Sequence, residues 1–153
     1  MIDRPLVYPF YEEAHLRRGR SVQRPVVLVS IGDPQLTFEA LVDSGSEHVL
    51  ADSTLAMAAG IDLSDLIDVQ EIGLGGGIVE ARFMPVTEYL HPPGLSTLTR
   101  SRGISISASS TERPLYPCIL GNVGFLDRFT ISRFAQATAV EALEAFYARF
   151  GTS

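Results

Sequence analysis

The sequence predicts a mainly β domain that carries one short helix and a second helix near its C-terminal end. The first observation is a series of short apolar runs rich in β-branched residues, of which 25–31 and 36–42 are the clearest. The second is that Gly and Pro separate these runs, as they do at turns between strands. The third is an apolar spacing typical of an amphipathic helix from about 136 to 150.

In the first half of the chain, the predicted elements follow one another closely. The runs 25–31 and 36–42 are separated by a Gly-Asp-Pro turn and form a predicted hairpin that leads directly into Asp43. A short helix is predicted after it, because Ser53 can cap a helix start and Gly60 can end one.

A second hairpin is predicted around a run of three glycines. The segments 69–74 and 78–86 flank this run, whose residues permit the positive φ angles of a tight tip. Farther along, 92–94 and 109–114 are predicted loops, and 103–107 alternates as a half-buried strand does. A return strand is predicted at 129–131, before the terminal helix.

Length and composition fit one globular domain. The 153 residues are 46% hydrophobic and 20% charged, which is ordinary globular usage, and the chain is long enough to bury a core. Cys118 is the single cysteine, and no basic start with a following apolar segment resembles a signal peptide, so we expect a reducing, cytoplasmic location. No apolar run reaches the roughly 18 residues of a membrane span, so we expect no membrane partner.

The charge balance and the histidines exclude two further classes of site. The net charge is -6, whereas binding to nucleic acid needs a positive surface, so we expect no nucleic acid partner. His15, His48 and His91 have neither the helical pairing nor the neighbouring cysteines of a metal site. We therefore expect no metal and no other cofactor.

Asp43, Ser44 and Gly45 form an Asp-Ser-Gly tripeptide that can carry chemistry. Alone it is a weak signal, because all three residues are common in ordinary turns. Its surroundings are more specific. An apolar strand, 38–42, ends at the aspartate, a Gly-rich hairpin follows, and an apolar-apolar-Gly step, 119–121, comes nearer the C-terminus.

Together these features resemble the retropepsin family of aspartic proteases. Segment 43–46 is similar to the family's Asp-(Thr/Ser)-Gly-(Ala/Ser) loop, and 47–50 is similar to the continuation seen in retrotransposon and bacterial members. Segment 72–82 resembles the family's flap, and 119–121 resembles the turn behind its active-site loop. The resemblance covers about 25–131.

This resemblance implies a closed or partly closed β-barrel of the acid protease type, which acts as a homodimer on a peptide or protein substrate. Asp43, Ser44 and Gly45 would form the catalytic loop, with the Ser44 hydroxyl bonding across the dimer. The flap tip that contacts substrate would consist of Gly75, Gly76 and Gly77.

The resemblance also implies a division of the chain into three parts. Residues 1–24 would be an N-terminal extension, 25–134 the retropepsin-like domain, and 135–153 a C-terminal helix packed on that domain. The chain departs from the short viral enzymes at both ends, since those enzymes lack the extension and end in a dimer-forming strand.

The chemistry of such a site requires two carboxylates that share one proton, because adjacent like charges cannot both ionise. Asp43 is the only aspartate followed by Ser-Gly, so a two-fold symmetric homodimer must supply the second carboxylate. One carboxylate then acts as a base toward water, while its protonated partner polarises the scissile carbonyl.

A second hypothesis is a peptide-binding or dimerisation module that keeps this fold without hydrolysis, since a fold does not fix function. Serine and cysteine nucleophiles are disfavoured. The chain has no Gly-x-Ser-x-Gly motif, and Cys118 lies in an apolar run typical of a buried thiol. The glycine run lacks the Gly-Lys-Ser/Thr of a phosphate-binding loop.

Overall fold

Twelve strands and two helices make up the part of the chain that the computed structural model describes, which is residues 4–9, 11–15, 20–62, 64, 68–74, 77–91, 101–105, 116–134 and 136–151. The strands are β1 (Leu6–Pro9), β2 (Tyr11–His15), β3 (Arg20–Arg24), β4 (Val26–Ile31), β5 (Phe38–Val42), β6 (Leu50–Ala51), β7 (Asp68–Leu74), β8 (Gly77–His91), β9 (Ser101–Ser105), β10 (Cys118–Leu120), β11 (Phe129–Arg133) and β12 (Ala137–Ala142). The helices are α1 (Ser53–Ala58) and α2 (Leu143–Phe150). The predicted mainly β class and the C-terminal helix are confirmed.

Within these ranges the strands form three sheets. The largest has the order β6-β10-β5-β4-β8-β7, and β9 pairs with β8 beside this path. Its ladders are antiparallel except for the parallel pair of β10 and β5. A second sheet has the order β1-β12-β11, and β2 and β3 form a separate antiparallel ribbon.

The large sheet is open, so of the expected closed or partly closed barrel, the closed form is wrong for the described part of the chain. β6 and β7 stand at the two ends of the pairing order, and no ladder joins them there. β6 has only two residues, which offers few backbone groups for a further ladder. The retropepsin-like identity of the fold stays a prediction.

The hydrophobic core lies on the large sheet and extends to the sheet of β1 and β12. β4 is buried at five of its six positions, which explains its mostly apolar sequence, in which Ser30 is the exception. Full burial of each Val, Leu, Ile or Phe stabilises the fold by roughly 1.5–3 kcal/mol. The largest fully buried hydrophobic side chains are Phe125, Ile31, Leu90, Leu120, Val27, Val29, Val49 and Val140.

The N-cap of the short helix lies one residue earlier than predicted. The cap is Asp52, not Ser53, and its carboxylate accepts a 2.8 Å hydrogen bond from the Thr54 amide. Gly60 follows the helix at a φ of 79°, as the prediction of a glycine stop requires.

The second hairpin is longer than predicted. β7 and β8 pair from Asp68–Phe83 to Leu74–Gly77, and β8 continues through His91 to pair with β4 and β9. Residues 75–76 of the tip lie outside the described residues, as do the predicted loops at 92–94 and 109–114. The predicted strand at 103–107 is observed in part, as β9 from 101 to 105. Residues 106–107 of the prediction also lie outside the described ranges.

The terminal helix was predicted over about 136–150, but the structure places a strand in the first part of this region. Only α2 is helical, and β12 precedes it. β12 has partners on both sides, β1 and β11, and four of its consecutive residues are buried. The backbone hydrogen bonds of a central strand override the local helical spacing. No helix in the described part of the chain is both long and apolar enough to cross a membrane.

The N-terminal strand contributes directly to the core. β1 pairs with β12 from Leu6–Val140 to Pro9–Ala137. Tyr8 of β1 is 2% exposed, and its hydroxyl donates a 2.7 Å hydrogen bond to the carbonyl oxygen of His91, 83 residues away. The division at residue 24 stays a prediction, and β1 shows that the segment before it includes core contacts.

A buried polar group accompanies this contact. The Nε2 atom of His91 lies 2.7 Å from the Ser30 hydroxyl, and both side chains are buried. The Ser30 hydroxyl also lies 3.3 Å from the carbonyl oxygen of Pro34. Burial lowers the pKa of His91 below its usual value of 6.5, because the charged ring would lose its hydration.

We expect Tyr8→Phe to lower the free energy of unfolding by about 1 kcal/mol, since it removes a buried hydrogen bond and leaves the His91 carbonyl without this donor. Chemical denaturation measures the change. Val7→Ala on the same strand is the matched control, because Val7 is 54% exposed and its truncation should matter less. Equal effects of the two substitutions would contradict a core role for Tyr8.

Stability should fall as pH drops below the usual histidine pKa. The unfolded chain binds a proton at His91 near pH 6.5, whereas the folded chain binds it only at a lower pH because the pKa of His91 is lowered. The free energy of unfolding therefore decreases as the pH falls from 6.5 to that lowered pKa. Denaturation midpoints of the wild type and His91→Gln at about pH 7.5 and pH 5.5 test this. His91→Gln should lose less stability than the wild type on acidification. Equal losses in the two proteins would contradict the lowered pKa of the buried His91.

Candidate active site

Asp43 stands at the end of β5, where two strands fix its backbone. Its amide donates a 3.0 Å hydrogen bond to the carbonyl oxygen of Leu120, which extends the parallel ladder of β5 and β10 by one residue. The Val42 amide beside it donates to the carbonyl oxygen of Pro25 at 2.9 Å. The position of the Asp43 side chain therefore depends on the sheet and not on a free loop.

The Asp-Ser-Gly tripeptide forms a tight turn around its own carboxylate. The Gly45 amide donates to the Asp43 Oδ1 atom at 2.9 Å, and the Ser46 amide donates to the Asp43 carbonyl oxygen at 3.1 Å. This is the local bonding that favours Asp at turns. Asp43 is half-buried, whereas Ser44 and Gly45 are exposed. The backbone thus holds one oxygen of the Asp43 carboxylate, while the tip of the turn is exposed to solvent.

The chain after β10 packs tightly against this turn. A Cβ atom at Gly121 would lie 2.2 Å from the carbonyl oxygen of His48 and 2.7 Å from that of Ser46, distances that exclude any side chain. The amides of Asn122 and Val123 donate to the carbonyl oxygens of Ser46 and Glu47 at 3.0 and 2.8 Å. The structure thus brings the predicted 119–121 step against the predicted catalytic loop.

Asn122 is a site residue that the sequence analysis missed. Its side-chain Nδ2 atom donates to the carbonyl oxygens of Ser44 at 3.0 Å and Ser46 at 2.9 Å. An amide with two donors can hold both carbonyls of the turn at once. The only signal in the sequence is an amide residue directly after the Gly of the apolar-apolar-Gly step.

A cleft of about 240 Å³ lies beside the turn. Residues 46–48 and Leu50 line one side, and the consecutive residues 70–73 of β7 line the other. A strand face would contribute only alternate residues, so a run of four marks the edge of β7. In the described residues β7 pairs only with β8 and β6 only with β10. The opening in the large sheet and the cleft are therefore the same feature.

His48 connects the turn to the hairpin. Its ring meets the ring of Phe83 on β8 edge-on, with 5.1 Å between centroids, and its Nε2 atom lies 3.8 Å from the Glu47 carboxylate. The Ser46 hydroxyl donates to its carbonyl oxygen at 2.8 Å. His48 thus packs between the Asp43 turn and the part of β8 that pairs with β7.

The predicted flap residues are described in part. Gly77 begins β8 opposite Leu74, whereas Gly75 and Gly76 lie outside the described residues. Ile78, the next residue on β8, is 76% exposed. The two arms of the hairpin are present, and the role of the three glycines in substrate binding stays a prediction.

The structure does not favour a cysteine nucleophile or a metal site in the described residues. Cys118 is fully buried, and burial together with the charge of Glu88 raises the pKa of its thiol well above the usual value, which disfavours the reactive thiolate. In the described ranges, no group of three His, Cys, Asp or Glu side chains is arranged to hold a metal ion.

No family model matches the chain, and a comparison with curated proteins finds no match.

Gly121→Ala should destabilise the protein by on the order of 1–3 kcal/mol or prevent folding, because the added methyl group meets the backbone at His48. Gly73→Ala is the matched control, since a Cβ there has no atom within 4 Å. Thermal unfolding of both variants measures the difference. If Gly121→Ala were as stable as Gly73→Ala, the close packing behind the turn would be wrong.

Proposed function

We propose that this protein is an aspartic endopeptidase of the retropepsin type, active as a homodimer in which the Asp43 carboxylates of two copies form the catalytic pair. The observation that carries the proposal is the bonding of Asp43. Its amide is fixed to Leu120, and its Oδ1 atom is fixed by the Gly45 amide. A carboxylate held in this way, beside a cleft, is pre-oriented for chemistry.

The bonding of the turn supports the roles of its three residues. The Gly45 amide donates a hydrogen bond to one carboxylate oxygen and so holds the orientation of that acid. The exposed Ser44 is available to a second copy of the chain, as the resemblance implies for its hydroxyl. The lack of a side chain at Gly45 lets its backbone lie close to the Asp43 carboxylate, since a Cβ at that position would lie 3.1 Å from the Asp43 Oδ1 atom.

Hydrolysis then follows the chemistry of paired carboxylates. Two Asp43 side chains within hydrogen-bonding distance share one proton, because both cannot ionise in contact. The ionised carboxylate takes a proton from water, which attacks the scissile carbonyl carbon. The protonated carboxylate polarises the carbonyl oxygen and then transfers its proton so that the leaving amine departs neutral.

The open edges of the sheet support a peptide as the substrate. Strand edges carry unpaired N–H and C=O groups in register with an extended chain, and peptides bind such edges as added strands. The cleft beside Asp43 lies along the β7 edge and the segment that leads into β6. A peptide bound there places its backbone next to the turn.

Asp43→Asn should abolish peptide cleavage, with a loss of about a hundredfold or more, because the amide cannot act as acid or base. Cleavage of a denatured protein substrate between about pH 3 and pH 7 measures it, with sedimentation to confirm the dimer. Asp33→Asn is the matched control, since Asp33 holds the Gln35 amide at 2.9 Å in the same kind of turn elsewhere on the surface.

Two results would contradict the proposal. Equal activity of Asp43→Asn and wild type would remove Asp43 from the chemistry. A wild-type protein that stays monomeric at every concentration and cleaves nothing would remove the shared-proton mechanism.

A second candidate function is a peptide-binding module without hydrolysis. It is favoured by the lining of the cleft, which includes Ser46 to His48 but not Asp43 itself. The two strand edges bind an extended chain by main-chain hydrogen bonds whether or not a second carboxylate is near. Binding of an unstructured peptide that is never cleaved, equal in wild type and Asp43→Asn, would favour this function over the first.

A further inference from the structure

One peptide bond of the turn links the Asp43 carboxylate to the Asn122 side chain. The N–H of this bond belongs to Gly45 and donates to the Asp43 Oδ1 atom at 2.9 Å. Its carbonyl oxygen belongs to Ser44 and accepts from the Asn122 Nδ2 atom at 3.0 Å. A trans peptide unit is planar, so the direction of its carbonyl group fixes the direction of its N–H. Asn122 therefore orients the donor that holds the carboxylate.

The Ser44–Gly45 peptide unit needs such a hold because it adjoins a glycine. Gly45 tolerates a wide range of backbone angles, which makes rotation of the adjoining peptide unit easy. The Asn122 Nδ2 atom also lies 2.9 Å from the carbonyl oxygen of Ser46, so both of its donors are used. The side-chain amide cannot turn away from Ser44 without losing both hydrogen bonds.

The backbone of Asn122 is itself fixed. Its amide donates to the Ser46 carbonyl oxygen at 3.0 Å, and its carbonyl oxygen accepts from the Asp127 amide at 2.9 Å. The preceding residue, Gly121, lies directly against the carbonyl oxygen of His48. The Asn122 side chain thus extends to the turn from a backbone that is held on both sides.

The contact also requires an amide at position 122. The carbonyl oxygens of Ser44 and Ser46 can only accept hydrogen bonds, and an asparagine side chain supplies two donors. An ionised aspartate of nearly the same size would supply none, and its negative charge would face the two carbonyl oxygens. A protonated aspartate would supply one donor.

We propose that Asn122 is a positioning residue, which holds the Ser44–Gly45 peptide unit so that the Gly45 N–H keeps the Asp43 carboxylate in its reactive orientation. This inference deepens the proposed function and rests on it in one respect, that Asp43 acts in hydrolysis. The control of the Gly45 N–H by Asn122 is a property of the single chain and can be measured without any substrate.

Asn122→Ala in the full-length protein should lower kcat for peptide cleavage by about ten- to a hundredfold, because the carboxylate is no longer held in place. KM should change by less than about twofold, since contacts with the rest of the peptide remain. Asn122 is exposed, so its truncation leaves the core intact. Gln136→Ala is the matched control, because it removes an exposed side-chain amide outside the turn and should change neither constant.

Asn122→Asp separates positioning from a general loss of stability. Its activity relative to wild type at the same pH should rise severalfold between about pH 6 and about pH 4, as the new carboxyl group gains a proton to donate. The relative activity of Asn122→Ala should stay constant over this range, because alanine does not titrate. Parallel pH profiles of the two variants would contradict the role of the amide.

Exchange of the Gly45 amide proton with water, measured by NMR, tests the hold directly. Exchange should be about fivefold faster in Asn122→Ala than in wild type, the effect of losing one hydrogen bond of ordinary strength. The Gln35 amide donates to the Asp33 Oδ1 atom at 2.9 Å in a similar turn, so its exchange is the internal reference and should not change.

The measurements separate failure of this inference from failure of the proposed function. If wild-type protein cleaves peptides and Asn122→Ala keeps the same kcat, the peptidase proposal stands and the positioning role is wrong. If wild-type protein cleaves nothing, the peptidase proposal falls, and the Gly45 exchange rates still decide whether Asn122 orients the turn. Equal exchange rates in wild type and Asn122→Ala would overturn the inference in either case.

Discussion

The contact between Gly121 and the carbonyl oxygen of His48 is the constraint on which the candidate site depends. Because Gly121 has no side chain, the chain leaving β10 can lie directly against the segment that follows the Asp43 turn. β10 can then continue its parallel ladder with β5, and Leu120 accepts the hydrogen bond of the Asp43 amide. The Asn122 side chain closes the junction from the other side. The orientation of one carboxylate is thus set by backbone contacts between segments far apart in sequence.

Local patterns predicted the parts of the fold that local physics decides. The hairpin of β4 and β5, the glycine stop at Gly60 and the arms of the second hairpin depend on neighbouring residues, so the sequence shows them. β12 was mistaken for helix because its apolar spacing fits both structures, and the choice is made by β1 and β11, which pair with it from elsewhere. The same reasoning applies to Asn122. An amide residue is common in turns, and only the three-dimensional position of Ser44 and Ser46 shows what it binds.

The opening of the large sheet links fold and function. A closed barrel has no free edges, and so offers no place for an added strand. Here β6 is short, the ladder stops, and the edge of β7 lies beside a cleft near the Asp43 turn. Under the proposed function, peptide binding and hydrolysis are separable. The strand edges belong to a single chain, whereas hydrolysis by paired carboxylates requires two chains.

The pairing of β1 with β12 also bears on how the protein reaches this structure. Leu6 meets Val140, so the second sheet joins segments near the two extremes of the described chain. Contacts of such long sequence separation form slowly, because the intervening chain loses much of its freedom before they are made. During synthesis, Tyr8 remains without its place in the core until most of the polypeptide has left the ribosome. Until β12 has been made, β1 has no strand to pair with and the buried face of Tyr8 stays uncovered.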